Sequence, residues 1–571
     1  MFIRLASLVC AACLCAAPVS ARSPERASLG FAITWDVGFG SNVYVVGSHP
    51  DLGAWSPTGA VKLRWTAGNV WTGQVAVQRG TTLEYKFITR DGAAARACDV
   101  GNVVWEAGPN RTQVVAEAAA PPYTGKTVFY YSGWTSAALV VVSGTNATAV
   151  PMQSVGVGRT PGEVLYRADG VGEAGEGVEF VVSGWLGGTN YWDNPPDTNW
   201  NHNYYTSLDV FLLQDGQLFT YWPTNPVSPP RVVTNFIFST APDITARTAR
   251  IYLPRGYDSE PARRYPVLYF QDGTNVFDPG GAFGSWSADA IATREIGQGR
   301  MRECILVAVD NQPNRRTEYE PPGDTYPLEP PGHADLYLRF LLDNVRPTLD
   351  VNFRTRTDPR NTLVGGSSMG GLFSLYAGYV TNVFGGVLAM SPSLTRATNF
   401  AAALAGRAPR PQRIYLDTGA AEGQVGITPG GDYWESPWAG YDALLQQGYV
   451  PNENLLMRAG CGHAHNEAAW RERLPVALRF LLPARDEPNE LALAVHPPRL
   501  TSVAPDGVVD FPALQQVRYQ LDAVAGPPDA AGWAPLATWA VELRPWAWGR
   551  ITGGPPAGAQ ATWRLRGEPV P

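Results

Sequence analysis

The sequence predicts a multidomain chain: N-terminal all-β sandwich modules, a central α/β domain with a mainly parallel sheet, and a small C-terminal all-β module. Three observations carry this. At 571 residues the chain is too long for one core. Between about 233 and 483, short apolar runs alternate with segments of helical spacing, as repeated βα units require. On both sides of that block, short alternating runs are punctuated by Gly and Pro. Composition agrees, since 60 Gly and 49 Pro against 17% charged residues favour strands and turns over long exposed helices. A net charge of −7 and the absence of any Lys/Arg run argue against a nucleic-acid partner.

Residues 1–21 read as an export signal, with Arg4, an apolar stretch from Leu5 to Ala17 and the small-residue site Val19-Ser20-Ala21. A secreted or periplasmic protein beginning at Arg22 is expected. Cys10, Cys13 and Cys15 raise a lipoprotein alternative, but none follows a Leu-small-small triplet. No other apolar run approaches the roughly 18 residues of a membrane span. Cys98, Cys304 and Cys461 remain, an odd number without metal-ligand spacing. They are expected as small buried hydrophobes, with one disulfide as the alternative, and no metal or cofactor is expected.

Residues 28–117 form the first β-module, with strands at Leu29–Thr34, Asn42–Val46, Val70–Val75 and Glu84–Ile88. After a small-residue and proline linker at 118–122, a second β-block covers 125–222. A stiff Pro-rich connector, Trp222 to Pro230, leads into the α/β block at 231–485. There Arg250–Leu253, Pro266–Phe270, Cys304–Val309 and Arg413–Leu416 read as central strands, and Ala334–Leu349 and Ala468–Leu481 as helices. The tail, 491–571, returns to β patterning.

Within the α/β block, Gly366-Ser367-Ser368-Met369-Gly370 follows the apolar run Asn361–Gly365 and precedes a run of helical spacing. A serine on such a strand-to-helix elbow is thrust outward, and the flanking glycines let the backbone close around it. A serine hydroxyl is a weak nucleophile and needs a base. Of six His, three lie in the block: His333, His463 and His465. In α/β-hydrolases the chain order is Ser, acid, His, with the histidine on a late loop. His465, just before the last helix, is the expected base. The acid belongs after Arg413–Leu416: Glu422, beyond the Gly turn, is placed to reach across, while Asp417 at the strand end is the alternative. The oxyanion needs two backbone N–H donors, expected from Met369 and from Thr274 (or Gly273) after the Pro266–Phe270 strand.

Tyr265-Pro266-Val267-Leu268-Tyr269, Asp272-Gly273, Gly365 to Gly371 and Gly462 to Trp470 together resemble the esterase D-like esterases, the group of enterochelin, feruloyl and acetyl-xylan esterases and mycolyltransferases. The resemblance implies an α/β-hydrolase with Ser368 as nucleophile, His465 as base, Glu422 as acid and Met369 and Thr274 as oxyanion donors. It fixes reaction type better than substrate.

In the first module several aromatics stand at turns, where rings can stack on sugar faces. Trp71, between apolar neighbours, is expected in the core. Val45 to Ser48, Leu52-Gly53-Ala54-Trp55, Glu84 to Phe87 and Val104 to Arg111 closely resemble a family 20 starch-binding module. The resemblance places Trp55, Lys86, Trp105, Glu106 and Asn110 at its first glucan site, and Phe39 where a second-site tyrosine is usual. Phe129 to Trp134, Tyr191 to Asn194 and Asn203-Tyr204 resemble a family 25 or 26 starch-binding module, with Val140-Val141-Val142 where His-Tyr is usual; Trp192 is its one expected sugar contact.

The expected function is a secreted serine esterase held on starch or a related α-glucan, cleaving a carboxylic ester through an acyl-enzyme. A catalytically silent glucan-binding scaffold and an acyltransferase using the same residues are the alternatives. No paired-carboxylate constellation on a barrel pattern supports an amylase.

Overall fold

The computed structural model describes residues 26–486 and 491, except 79–80, 92–102, 116–124, 145, 174–175, 196–202, 241–242, 325–329, 398–402, 404–411 and 423–434; beyond 491 it describes strands alone. In the first module, strands β1 (Arg26–Thr34), β4 (Arg64–Thr66) and β5 (Val70–Gln78) form one sheet. Strands β2 (Ser41–Gly47), β3 (Val61–Lys62), β6 (Thr82–Asp91), β7 (Val104–Trp105) and β8 (Arg111–Val114) form the other. Val43, Val45, Val75, Val77, Phe87 and Trp71 fill the space between them, every second residue of a strand facing inward. Trp71 is a core residue, as expected.

The second module pairs two five-stranded sheets. One is built on β10 (Ser136–Ser143), β11 (Asn146–Pro151), β14 (Val178–Leu186), β15 (Thr189–Asp193) and β16 (Tyr204–Thr206). The other runs in the order β12 (Gln153–Val157), β13 (Val164–Val171), β9 (Lys126–Ser132), β17 (Val210–Gln214), β18 (Gln217–Phe219). The module sits against the central domain, where buried Glu303 accepts hydrogen bonds from Tyr221 Oη (3.1 Å) and Arg255 Nε (3.3 Å).

The central domain holds an eight-stranded sheet in the order β19 (Arg231–Ile237), β20 (Arg247–Leu253), β22 (Ile305–Val309), β21 (Val267–Phe270), β23 (Thr362–Ser367), β24 (Gly386–Met390), β25 (Arg413–Gly419), β26 (Leu455–Gly460). Only β20 runs against the others, pairing antiparallel with β19 and β22, and every other pair is parallel. A parallel sheet is covered on both faces, so its strands are near-continuously apolar. Along β21, Val267 and Tyr269 enter one core; Leu268 and Phe270 enter the other. The first core is closed by α2 (Arg315–Tyr319), α3 (Ala334–Phe340), α4 (Arg346–Asn352), α5 (Met369–Val380) and α6 (Glu435–Gln446). The second is closed by α1 (Ala288–Gly297) and α7 (Glu467–Leu481).

Two expectations are corrected. The single helix over 334–349 is α3 and α4 joined by a π-helical turn at Leu341–Val345, and it continues to Asn352. Cys304 is a buried thiol as expected, but Cys461 is disulfide-bonded; Cys98 lies outside the described residues. The tail forms two three-stranded sheets from β27 (Ser502–Val503), β28 (Val509–Pro512), β29 (Val517–Val524), β30 (Ala534–Ala540), β31 (Trp548–Ile551) and β32 (Thr562–Pro569).

The Arg247 guanidinium is buried beneath α3, over the rings of Tyr337 and Phe340, and makes two 2.9 Å bonds to the Glu318 carboxylate. Glu318→Ala strands that cation in apolar surroundings at a cost of about 3–5 kcal/mol. Calorimetry should show the unfolding of the central domain shifted down by about 10 °C, and the apolar pair Arg247→Met with Glu318→Leu should recover most of the loss.

Candidate active site

Ser368 sits between the end of β23 and the start of α5 with φ 54° and ψ −120°. A non-glycine residue there carries strain of about 1–3 kcal/mol, and the surroundings determine it fully. Ser368 N–H donates to Met390 O (2.9 Å), while Ser368 O accepts from Leu372 N (3.0 Å) and Ser393 N (3.0 Å). Glycine is required at 366, because a Cβ there would lie 2.6 Å from the Gly370 carbonyl carbon. The Ser368 hydroxyl is 3.2 Å from Ser393 Oγ. Met369 is the first residue of α5, so its N–H belongs to the unpaired turn at the positive end of the helix.

The histidine loop follows β26. His465 immediately precedes Asn466, whose side chain caps α7 by accepting from Ala469 N (3.0 Å). Its Nδ1 lies 3.1 Å from Glu422 Oε2, and its ring meets Trp470 edge-on at 5.0 Å. Glu422 is fully buried, whereas the His465 side chain keeps 26% of its surface open. The other carboxylate oxygen, Oε1, accepts from Ser391 Oγ (2.6 Å), Gly419 N (2.9 Å) and Arg473 Nη2 (3.4 Å). One oxygen is therefore held by the scaffold and the other is presented to the imidazole.

Asp417 has a different set of partners. It accepts from Arg473 Nε (2.8 Å) and Nη2 (3.2 Å), from Ser391 N (2.8 Å) and from Tyr415 Oη (3.1 Å). Complete burial pushes its pKa up, with Arg473 opposing. Ser391 Oγ, which donates to Glu422, accepts from Trp470 Nε1 (3.0 Å) and Arg473 Nη2 (2.9 Å), so its capacity is filled. His463 points elsewhere, with Nδ1 3.2 Å from Arg473 Nη1 and Nε2 3.1 Å from Glu472. Sequence reasoning missed Ser391, Ser393 and Arg473. The one available signal was spacing on α7, since Asn466, Trp470 and Arg473 share a helical face.

Thr274 lies in the turn Gly273–Asn275 after β21, half-buried. The turn is fixed by three side chains. Arg315 grips Asp272 with bonds of 2.6 and 2.8 Å, Arg250 Nη1 donates to Gly273 O (2.8 Å), and Asn275 Nδ2 donates to Glu467 Oε1 (3.0 Å). Asp272 itself adopts φ 58°. Beside it, Gly281 and Gly284 bond each other's backbone at 3.2 and 3.1 Å, making a tight tip that carries Phe283, 79% exposed. A Cβ on Gly281 would meet Thr274, and one on Gly284 would meet Glu467. This aromatic tip therefore stands beside both the Thr274 turn and the histidine loop.

In the first module, the Trp55 and Trp105 rings are paired at 6.4 Å with a 40° tilt. Lys86 Nζ donates to Glu106 O (3.0 Å) and Gly108 O (2.5 Å), and Asn110 Nδ2 donates to Glu84 Oε2 (3.0 Å). Burial works against the Glu106 charge, but Arg111 and the Phe87 N–H outweigh it and hold its pKa below the usual range. Phe39 is fully exposed. In the second module Trp192 is exposed and in register with Ser183, while exposed Trp185 is in register with Asn190, so both rings lie on the outer face. Trp185 was not anticipated.

Residues 244–511 match the family described as Putative esterase, and residues 27–123 match the Starch binding domain family. The first match covers just under half of the chain and lies largely on the central domain. The chain thus joins a region similar to the esterase family to a region similar to the starch-binding family. An endo-1,4-beta-xylanase/feruloyl esterase of Xylanibacter ruminicola is 31% identical over 135 residues, 22% of this chain and 16% of that protein. An alpha-amylase of Streptomyces violaceus is 41% identical over 85 residues, 15% of this chain and 14% of that protein. The chain thus spans less than a fifth of these relatives. Among solved structures, a ferulic acid esterase aligns with a TM-score of 0.35 at 19% identity, over 44% of this chain and 98% of that chain. The enterobactin esterase of Shigella flexneri aligns with a TM-score of 0.34 at 15% identity, over 80% of this chain and 94% of that chain. Among the described residues no helix is long and apolar enough to cross a membrane, and no cluster of His, Cys, Asp and Glu has the form of a metal site.

Proposed function

We propose that this chain is a secreted serine esterase that hydrolyses a carboxylic ester on or near a starch-like α-glucan. The observation that carries the reading is the pairing of His465 Nδ1 with buried Glu422 Oε2 at 3.1 Å, at the carboxyl ends of the parallel strands, as is the strained Ser368 elbow.

In this reading Ser368 Oγ attacks the ester carbonyl while His465 Nε2 takes its proton. The C=O electron pair moves onto oxygen, where the Met369 and Thr274 amides receive the charge. Collapse breaks the C–O bond to the alcohol, which leaves with the proton from His465, and Ser368 holds the acyl group. Water, deprotonated by His465, then releases the acid and restores Ser368. Glu422 fixes the Nδ1–H tautomer and stabilises the imidazolium; Asp417 serves to hold Arg473 in place. The export-type leader at 1–21 supports secretion. Trp55 and Trp105 form the glucan platform, with Lys86, Glu106 and Asn110 shaping the loop beside them. Trp192 offers a further aromatic face on the second module. Holding enzyme on polymer raises the local substrate concentration without altering the chemistry.

Ser368→Ala should remove p-nitrophenyl acetate hydrolysis down to the uncatalysed background. Glu422→Gln should lower kcat about 10³–10⁴-fold, whereas Asp417→Asn should lower thermal stability with a much smaller loss of kcat. Wild-type activity no higher than that of Ser368→Ala would refute the enzyme reading. The double variant Trp55→Ala/Trp105→Ala should elute from a starch column with the unbound fraction and keep its rate on p-nitrophenyl acetate within two-fold. Unchanged retention would move the glucan site elsewhere.

A further inference from the structure

The face of β3-β2-β6-β7 turned away from the module's own core carries a single cross-strand row. Lys62 is in register with Tyr44, Tyr44 with Ile88, and Ile88 with Trp105. Residues in register share a face, so the row runs from Lys62 at one edge to the Trp105 platform at the other. Three strand spacings put its ends about 14 Å apart. Trp55 packs on this face, against Tyr44, Val46 and Ile88.

The Lys62 end of the row is covered by the esterase. Lys62 Nζ donates to Asp442 Oδ2 on α6 at 2.6 Å, with 11% of the lysine side chain exposed. Tyr44 is 4% exposed, and burial pushes its pKa up to about 12. Two further contacts join the loop before β26 to the module. Asn452 Nδ2 donates to Asp51 O, and Ala76 N donates to Pro451 O, both at 3.0 Å. Asp51 is itself tied to Arg26 (2.9 Å) and to Gln78 N (3.2 Å), so this anchor reaches the module's sheet. On the esterase side, α6 buries Tyr441 and Leu444 in the same core as Leu416 of β25. From Trp105 to the sheet that carries Ser368, the connection runs through packed or hydrogen-bonded groups.

We infer that the starch-binding module is docked on the esterase as one body through Lys62–Asp442 and Asn452–Asp51, so that a glucan on Trp55 and Trp105 lies at a fixed position relative to Ser368. This rests on the proposed glucan and serine-esterase roles for its consequence, but the docking itself stands on the contacts. A flexible tether samples many positions and only raises concentration. A docked platform presents particular ester positions along the polymer and withholds others. Asp442 and Asn452 are thus positioning residues for polymeric substrate.

The test uses the full chain and two probes with one acyl group, p-nitrophenyl acetate and acetylated amylose. Asp442→Lys opposes Lys62; Asn452→Ala loosens the second anchor without introducing a charge. Both should hydrolyse p-nitrophenyl acetate and bind β-cyclodextrin within two-fold of wild type. Their rate on acetylated amylose should fall at least five-fold, and amide exchange in 61–66 and 435–446 should rise together. The exchange of charges, Lys62→Asp with Asp442→Lys, should recover both. Unchanged exchange in these segments, or an unchanged amylose rate despite faster exchange, overturns the inference in favour of a tether. If wild type is no faster on acetylated amylose than Trp55→Ala/Trp105→Ala, the glucan reading fails and the exchange result alone decides the docking.

Discussion

The site depends on one buried guanidinium. Arg473 lies between two carboxylates, Asp417 and Glu422, in a region from which water is excluded. Two like charges side by side at low dielectric would drive one to take up a proton. Arg473 offsets one of them and leaves the cluster with a net charge of −1 when both carboxylates are ionised. That remaining charge faces His465 through Glu422 Oε2, where an imidazolium would form. Ser391 fixes the distribution, because its single hydroxyl donates to Glu422 and accepts from both Arg473 and Trp470. Position in this network separates the two acids: Asp417 is enclosed by structural donors, and Glu422 keeps one oxygen for the histidine.

The second constraint is the backbone at Ser368. Its conformation is unfavourable alone and is kept because the strand before it and the helix after it are both locked in the core. β24 contributes at its C-terminal end, where Met390 accepts from Ser368 and Ser393 donates back to it. The same strand end carries Ser391, so the serine elbow and the acid network share one short segment, 390–393. Displacement of that segment would disturb both halves of the site at once.

Much of this was legible in the sequence, and the reason is local. The elbow is written in five consecutive residues, the starch module in several short motifs at fixed spacing, and the sheet in runs of β-branched and apolar residues. Choosing Glu422 over Asp417 rested on a glycine turn that can be read locally. What could not be read were partners brought together by folding. Ser391, Arg473 and Asp417 come from three separate elements, and no periodicity predicts that they meet. The Lys62–Asp442 contact joins two domains. The π-turn at Leu341–Val345 was also hidden, because helical apolar spacing does not distinguish an α-helix from one with an inserted residue.

In the proposed reading the docked module and the buried acid network divide the labour: one surface would hold a polymer, and the carboxyl ends of the parallel strands would perform acyl transfer to water. The central claim is that Ser368 is the nucleophile activated by the His465–Glu422 pair. The most direct measurement is peptide mapping by mass spectrometry after reaction with a fluorophosphonate ester, which phosphonylates an activated serine. One adduct, on Ser368, forming in step with loss of esterase activity and absent in Glu422→Gln over the same time, is the predicted result. Inactivation with the adduct on another residue, or full inactivation with Ser368 unmodified, would contradict the account.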